Sequence, residues 1–476
     1  MQASYDAART TDENRRHWAN ADKLSADAVA SPQIRCTLRA RARYEVANNS
    51  YARGVVSTLA NYIVGSGPHL QMSTSDGTLN EVVERRFTEW MAAVGLARKL
   101  HTMRQSQCES GEVFALLATN PRLASEVQLD VRVIEADQVA TPLVLTYDRD
   151  ARLVDGILFD EFDNPVSYYV LRRHPGSIMP YLGYGLGDYD VLPAGSIIHL
   201  FRVDRPGQTR GVPELTSALP LFALLRRYTL AVVSSAEQAA LPSGVIYTDA
   251  AGEEQVDPMD SVELDRGTWM TMPAGWKIGQ VKAEQPTTMY RDFKREVLNE
   301  IVRCLNMPFN IAAGNSSDYN YASGRLDHQM FHRFIRVDQA RMTELVLDRI
   351  FRSWLDEAAL IEGFLPQSAR LIKTDLSHQW IWDGFEHVDP AKEATAQSTR
   401  LTANTTTLAA EFARSGLDWQ TELRQRAREV AMMKQLGLSP MPEPRKPEVI
   451  DRRDPDEDMD KDMDDEMEDS RARSRT

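Results

Sequence analysis

The sequence predicts an α+β chain that is mostly helical, and three observations lead there. Apolar residues recur every three or four positions through residues 32–64, 80–110, 213–241, 286–306 and 325–354, and again through 391–436. Alternation with a period of two is confined to residues 112–201 and to short stretches between 244 and 285. A hydrophobic content of 42% with 26% charged residues suits an ordinary globular chain of 476 residues, long enough for two or three cores. No window approaches the ~18 consecutive apolar residues of a membrane span. The three cysteines, Cys36, Cys108 and Cys304, have no pairing motif and read as free thiols of a reducing compartment, the cytoplasm in which the chain is made.

Residues 1–31 form a polar arm with Trp18 as its one anchor. Residues 32–64 are helical with an interruption at Asn48-Asn49-Ser50, and Arg35, Arg39, Arg41 and Arg43 cluster on the first half. Such a cluster is expected to be a solvated face. Gly65-Ser66-Gly67-Pro68 stops the helix, and two more helices occupy 80–110. Strands are expected at Glu112–Ala118, Val127–Ile134, Leu153–Phe159, Val166–Arg172 and Ser196–Phe201, with Asp163-Asn164-Pro165 as a hairpin turn. Gly183-Tyr184-Gly185-Leu186-Gly187 lacks the G-x-G-x-x-G spacing of a dinucleotide loop and reads as a plain loop.

A tight loop, Arg205–Pro213, leads into a helix whose second half is rich in small residues, among them Ala231, Ser235 and Ala239, which suits close packing against neighbouring copies. Pro242-Ser243-Gly244 ends it, and Val245–Thr248, Thr268–Met272 and Trp276–Val281 are short strands of an excursion between two helices. Phe293, Val297, Ile301 and Leu305 stripe the second of these, which breaks at Met307-Pro308. Between Ala312 and Gly324 a polar loop follows, with Asn315, Ser316, Ser317, Asp318 and Asn320 interleaved with Tyr319 and Tyr321. Helical spacing resumes at Leu326 and runs to Trp354; a Trp-rich segment, Asp375–Asp383, precedes helices at Ala391–Ala413 and Trp419–Leu436.

The formal charge of −14 argues against bulk electrostatic gripping of nucleic acid. Much of it lies in Asp454–Asp469, where eleven of sixteen residues are acidic, the composition of a solvated, disordered tail. His328 and His332 share a helix face at i, i+4 spacing and could hold zinc, which makes a zinc-dependent hydrolase the competing reading. Against it, residue 329 is Gln, which cannot act as the general base of an H-E-x-x-H site. Neither a phosphate-cradling G-x-x-x-x-G-K-[ST] nor a G-x-S-x-G elbow occurs, no cofactor is implied, and Cys304 sits at a helix end where a thiol is inert.

The order of several pieces resembles a known family. These are Ala47–Gly54 with Val64-Gly65-Ser66-Gly67, Ile134-Glu135-Ala136-Asp137-Gln138, the Gly156–Tyr169 hairpin, and His199-Leu200-Phe201 with Arg205–Pro213. Asn306-Met307-Pro308 and Tyr321-Ala322-Ser323-Gly324-Arg325 complete the series. Together they resemble the lambda-type portal proteins of tailed bacteriophages, the head–tail connectors. The resemblance implies a homo-oligomeric ring, usually a dodecamer, around a DNA channel at one capsid vertex of the virion. By its pattern 32–212 would be the wing, 213–241 the first stem helix, 242–285 the clip, 286–306 the second stem helix and 307–324 the tunnel loop. Residues 325–388 would be the long helix and the wing and crown base, 389–440 a helical crown and 441–476 the acidic tail. The implied partners are the terminase large subunit, head–tail adaptor proteins, the major capsid and scaffolding proteins, and double-stranded DNA in passing, with no membrane and no catalysis. Residues 315–321 would face DNA, and Lys294 and Arg303 are the candidates for lining the channel.

Overall fold

The computed structural model describes residues 8–142, 152–177, 188–240, 244–248, 276–280, 289–317, 320–366, 377–385 and 390–438. Gly183–Gly187, the strand expected at Thr268–Met272 and the acidic tail lie outside the described residues. The chain divides into two compact units, the larger reaching to Glu386 and including Arg414–Gly416, the smaller taking His387–Ala413 and everything from Leu417 on.

The larger unit opens with a short helix α1 (Ala26–Val29), then α2 (Pro32–Asn48) and α3 (Ser50–Val64). The two long helices are separate because the Asn49 side chain accepts hydrogen bonds from the backbone of Tyr51 and Ala52, capping α3 where α2 ends. A strand β1 (His69–Met72) leads to α4 (Gly77–Val94), capped by Asp76, and α5 (Leu96–Ser110). Then come β2 (Glu112–Thr119), β3 (Leu129–Glu135), β4 (Leu153–Val154), β5 (Ile157–Phe159), β6 (Pro165–Leu171), β7 (Tyr189–Pro193) and β8 (Ile197–Phe201). They form two antiparallel sheets, β3-β2-β8 and β4-β5-β6-β7. Phe114, Ile134, Tyr168, Val170 and Ile197 form a core with residues from both sheets. Leu153–Phe159 is therefore a hairpin and not the single strand expected: Asp155 (φ 44°) and Gly156 (φ 82°) take left-handed backbone, and a Cβ on Gly156 would lie 2.7 Å from the Ala140 nitrogen.

Helix α6 (Leu219–Ala240) begins six residues later than expected, because Pro220 fits only a first helical turn; a 3-10 turn, Thr216–Ala218, precedes it. Two strands, β9 (Gly244–Thr248) and β10 (Trp276–Gln280), pair antiparallel before α7 (Met289–Val302). The expected loop after Pro308 is shorter than the sequence suggests. Phe309–Ala313 forms helix α8, ended by left-handed Gly314, and α9 (Tyr321–Met342) starts four residues before Arg325. Its first turn is set by the Asn320 carbonyl, which accepts from the Ser323 hydroxyl and the Gly324 amide. A π-helical turn, Thr343–Leu347, joins α9 to α10 (Asp348–Ala358).

The Trp-rich segment holds a strand that the pattern did not reveal, β11 (His378–Ile381), paired with β1 across some three hundred residues of chain. The main core lies under it: the Phe87 ring meets Trp354 at 5.1 Å and Phe351 at 5.3 Å, all edge-to-face and all fully buried. The smaller unit contributes α11 (Pro390–Thr402), α12 (Leu408–Arg414) and α13 (Trp419–Gln435). The single helix expected over Ala391–Ala413 breaks in a Thr-rich run with Asn404 left-handed (φ 54°), side chains that compete for backbone partners. Arg400 spans the break, pairing with Glu411 at 2.9 Å and Glu393 at 2.8 Å.

Candidate functional site

The helical hairpin of α6 and α7 presents an exposed apolar face in the larger unit. Spacing puts Leu221, Leu224, Tyr228 and Ala231 on one face of α6, opposite Phe293 and Val297 of α7. These residues line an open groove of about 550 Å³. Tyr228 and Phe293 meet at 4.7 Å between ring centres, yet Leu224 and Phe293 are each 49% exposed, and Leu230 reaches 63%. An uncovered apolar stripe of this length marks an interaction surface.

Charge anchors the hairpin to the body. Glu214, just ahead of α6, and Asp338 of α9 both reach the Arg104 guanidinium on α5, at 2.9 and 3.0 Å, and all three are buried. Burial and the nearby Glu214 push the Asp338 carboxyl up, so these two acids are held together by the one arginine. The Arg205–Pro213 loop is held by a second network. Arg210 forms a bidentate pair with Glu112, Nε–Oε2 at 2.9 Å and Nη2–Oε1 at 2.8 Å, and its Nη1 reaches Asp155 at 2.9 Å. Glu112 also accepts from the Gly211 amide at 2.9 Å and pairs with His199 at 3.0 Å.

The arginine cluster on α2 belongs to this network and corrects the expectation of a solvated face. Arg35 pairs with Asp155; Arg39 reaches Glu112 at 3.4 Å and Asp137 at 3.1 Å; Arg43 reaches Asp137 at 2.8 Å. Only Arg41 of the four is exposed. The partners come from strands and loops a hundred residues away, beyond the reach of helical periodicity.

The loop side chains named from sequence are partly placed. Asn315, Ser316, Ser317 and Asn320 are exposed, and Asn315 Oδ1 accepts from both the amide (2.9 Å) and the hydroxyl (2.6 Å) of Ser317. Asp318 and Tyr319 lie outside the described residues, as do the side chains of Tyr321 and Ala239. Ala231 is exposed and Ser235 half-buried on α6. Arg303 is exposed at the end of α7, whereas Lys294 lies over the rings of Tyr51 (4.9 Å) and Tyr290 (5.7 Å), a packed cation and not a free one.

The two histidines of the zinc reading serve packing. His328 hydrogen-bonds Asn310 at 2.9 Å, tying α8 to α9 across the foot of the loop. His332 stacks on Phe385 at 3.8 Å, and burial, with His328 and Arg336 close by, pushes its imidazole down to about 4. Because the unfolded chain takes up that proton first, near pH 6.5, stability should fall as pH drops from 7 towards 4. His332→Phe keeps the stack and should flatten the Tm-against-pH curve over that window; an unchanged slope would contradict this assignment.

Among the described residues, one group brings metal-type ligands together: Glu135, Asp137 and His174, within 4.8 Å of one another. Arg43 already pairs with both carboxylates, at 3.3 and 2.8 Å. The Gly176 amide donates to His174 Nδ1 at 3.0 Å, so the neutral ring carries its proton on Nε2, the atom facing the acids. The group therefore acts as an ion-pair cluster. Burial pushes the Cys304 thiol up to about 11 and the Cys108 thiol well above the ordinary range, so neither of these two suits nucleophilic work.

Comparison with known proteins adds the following. A family model described as phage portal protein, lambda family, matches residues 12–339. The chain is 23% identical over 431 residues to the "probable portal protein" of Halomonas phage phiHAP-1, covering 84% of this chain and 81% of that protein. Among solved structures it is similar to a chain in the neck of an empty GTA particle, at 15% identity and TM-score 0.45, covering 84% of this chain and 97% of the other. A chain of the native gene transfer agent (GTA) virion is similar at 14% identity and TM-score 0.44, with the same coverage.

Proposed function

This chain belongs to the lambda family of phage portal proteins, the head–tail connectors of phage-like particles, and from that premise we propose that copies of it close into a ring, a dodecamer, around a channel for double-stranded DNA. The stem hairpins stand side by side in that ring. The exposed apolar groove of α6 and α7 carries the reading, because Leu224 and Phe293 have too little cover within one copy. A neighbouring copy supplies it, the same contact repeating at each step until the ring closes.

In this arrangement residues 242–285 form the clip that receives the terminase large subunit during packaging and adaptor proteins afterwards. The wing and crown meet the major capsid and scaffolding proteins, and assembly runs in the host cytoplasm. The helix α6 of 22 residues is ~33 Å long, a suitable wall height for a channel. Asn315, Ser316, Ser317 and Asn320, between α8 and α9, are exposed and carry no charge. That suits a moving duplex. Tight neutralisation of six to ten phosphates shifts affinity ~1,000-fold or more over modest salt changes, and a channel that held DNA so firmly would stall. Arg303 alone of the two lumen candidates keeps an exposed guanidinium for transient contact.

Negative-stain imaging and analytical ultracentrifugation of the purified chain test this. Closed annuli of about twelve copies with a central hole wide enough for a duplex are the expected result. A chain that stays monomeric at all concentrations, even with its assembly partners, would refute it.

A further inference from the structure

A second surface lies away from the stem hairpin, where the free edge of β3 meets the start of α5. Strand β3 pairs with β2 on one side only. On the other, the Leu129 carbonyl accepts from the Trp90 indole at 2.8 Å and the Val131 amide donates to Asp130 Oδ1 at 2.7 Å. Backbone groups alternate along a strand, so these two bonds fix the phase: the outward groups of β3 belong to Leu129, Val131, Val133 and Glu135. Val131 is fully buried, so the outward groups that stay open are the amide and carbonyl of half-buried Val133, which have no partner among the described residues.

This edge borders a cleft of about 580 Å³. Three cations line it, Arg98 and Lys99 from α5 and Arg132 from β3. Asp130 is the one acid, and it is already engaged by Lys99 and by Asn120 at 2.9 Å. Arg98 and Arg132 are exposed, with no carboxylate partner among the described residues. In a chain whose net charge is −14, a concave site with two unneutralised guanidinia stands out. We propose that the cleft binds a short acidic polypeptide segment in extended form, which pairs with the edge of β3 at Val133 and places carboxylates on Arg98 and Arg132. The free strand edge favours a peptide over DNA, since a duplex has no backbone donors and acceptors at strand spacing. Because Leu129 and Val131 are covered, pairing is confined to Val133, and side-chain charge has to supply most of the affinity.

The test is fluorescence anisotropy on the full chain at low salt, with a labelled eight-residue peptide of alternating Glu and Thr. Saturable binding is expected, weakened at least tenfold by Arg98→Ala with Arg132→Ala. Val133→Pro should weaken it comparably, because it deletes the outward amide while leaving the β2 ladder intact. Circular dichroism reports that each variant is folded. A peptide with Gln in place of Glu should bind far less. The proposal is overturned if the wild-type chain does not bind, if either variant binds as wild type does, or if a 30-base-pair duplex displaces the peptide. Ring formation is scored separately, so this result does not depend on that one.

Discussion

Leu224→Asp combined with Phe293→Asp is expected to give a folded chain that no longer closes into rings. Both side chains are 49% exposed in the single copy, so the fold loses little by their replacement, and Tm should change by only a few degrees. In the proposed ring the same positions lie under a neighbour. Burying a Leu or Phe fully is worth ~1.5–3 kcal/mol, and putting a carboxylate in its place adds an unpaired charge that must be desolvated. A loss of ~3–5 kcal/mol at every interface is a factor of ~100 to several thousand per contact. Closure multiplies that penalty around the annulus. Sedimentation should therefore show the variant near the 53.7 kDa of one chain under conditions where the unaltered chain forms annuli. Rings of undiminished abundance in the double variant would remove the stem groove as the contact surface.

Arg210→Met should produce the largest loss of stability of any single change. Arg210 and Glu112 are both fully buried, and the substitution strips Glu112 of its bidentate partner while leaving the carboxylate inside. Breaking one side of such a pair costs ~3–5 kcal/mol. It also frees Asp155, whose hairpin then has Arg35 alone to hold it. The urea midpoint should drop by a large fraction of its value; a midpoint within error of the unaltered chain would show that the network contributes nothing. The pH dependence follows from the same pair. Burial pushes the Glu112 carboxyl up, but Arg210 and the hydrogen bond from His199 outweigh it and hold the group well below the ordinary carboxylate range. A depressed folded value means the stabilisation is present above ~4.3 and lost as pH falls below that, through the folded value. Acid unfolding should accordingly be steep below pH 4, and much shallower in the Arg210→Met variant.

How much of this could be seen in the residues alone depends on how local each signal is. Helices α6 and α7 and those of the 325–354 stretch were legible because a helix repeats its own spacing within a dozen residues. The break between α2 and α3 was legible for the same reason: Asn48-Asn49-Ser50 interrupts the spacing, and Asn49 acts on its immediate neighbours. The hairpin within Leu153–Phe159 had a local signal that the single-strand expectation passed over, Asp155-Gly156 being a two-residue turn pair between apolar residues; Arg35 and Arg210 add their hold on Asp155 from afar. Helix α8 and the early start of α9 were hidden, because Asn, Ser and Gly weigh towards a loop until tertiary contacts such as Asn310 with His328 decide otherwise.

The sequence by itself determined the α+β, mostly helical class, the succession of pieces that marks the portal family, and the want of a complete catalytic motif. These follow from periodicity and order, which a linear chain carries in full. Only the tertiary structure decided that Arg35, Arg39 and Arg43 are ion-paired inside the fold, that Lys294 rests on Tyr51, that His332 stacks on Phe385, and that β11 closes on β1. The reason is physical: a charge or a ring takes its role from whatever stands within a few ångströms, and here those neighbours come from segments tens to hundreds of residues away.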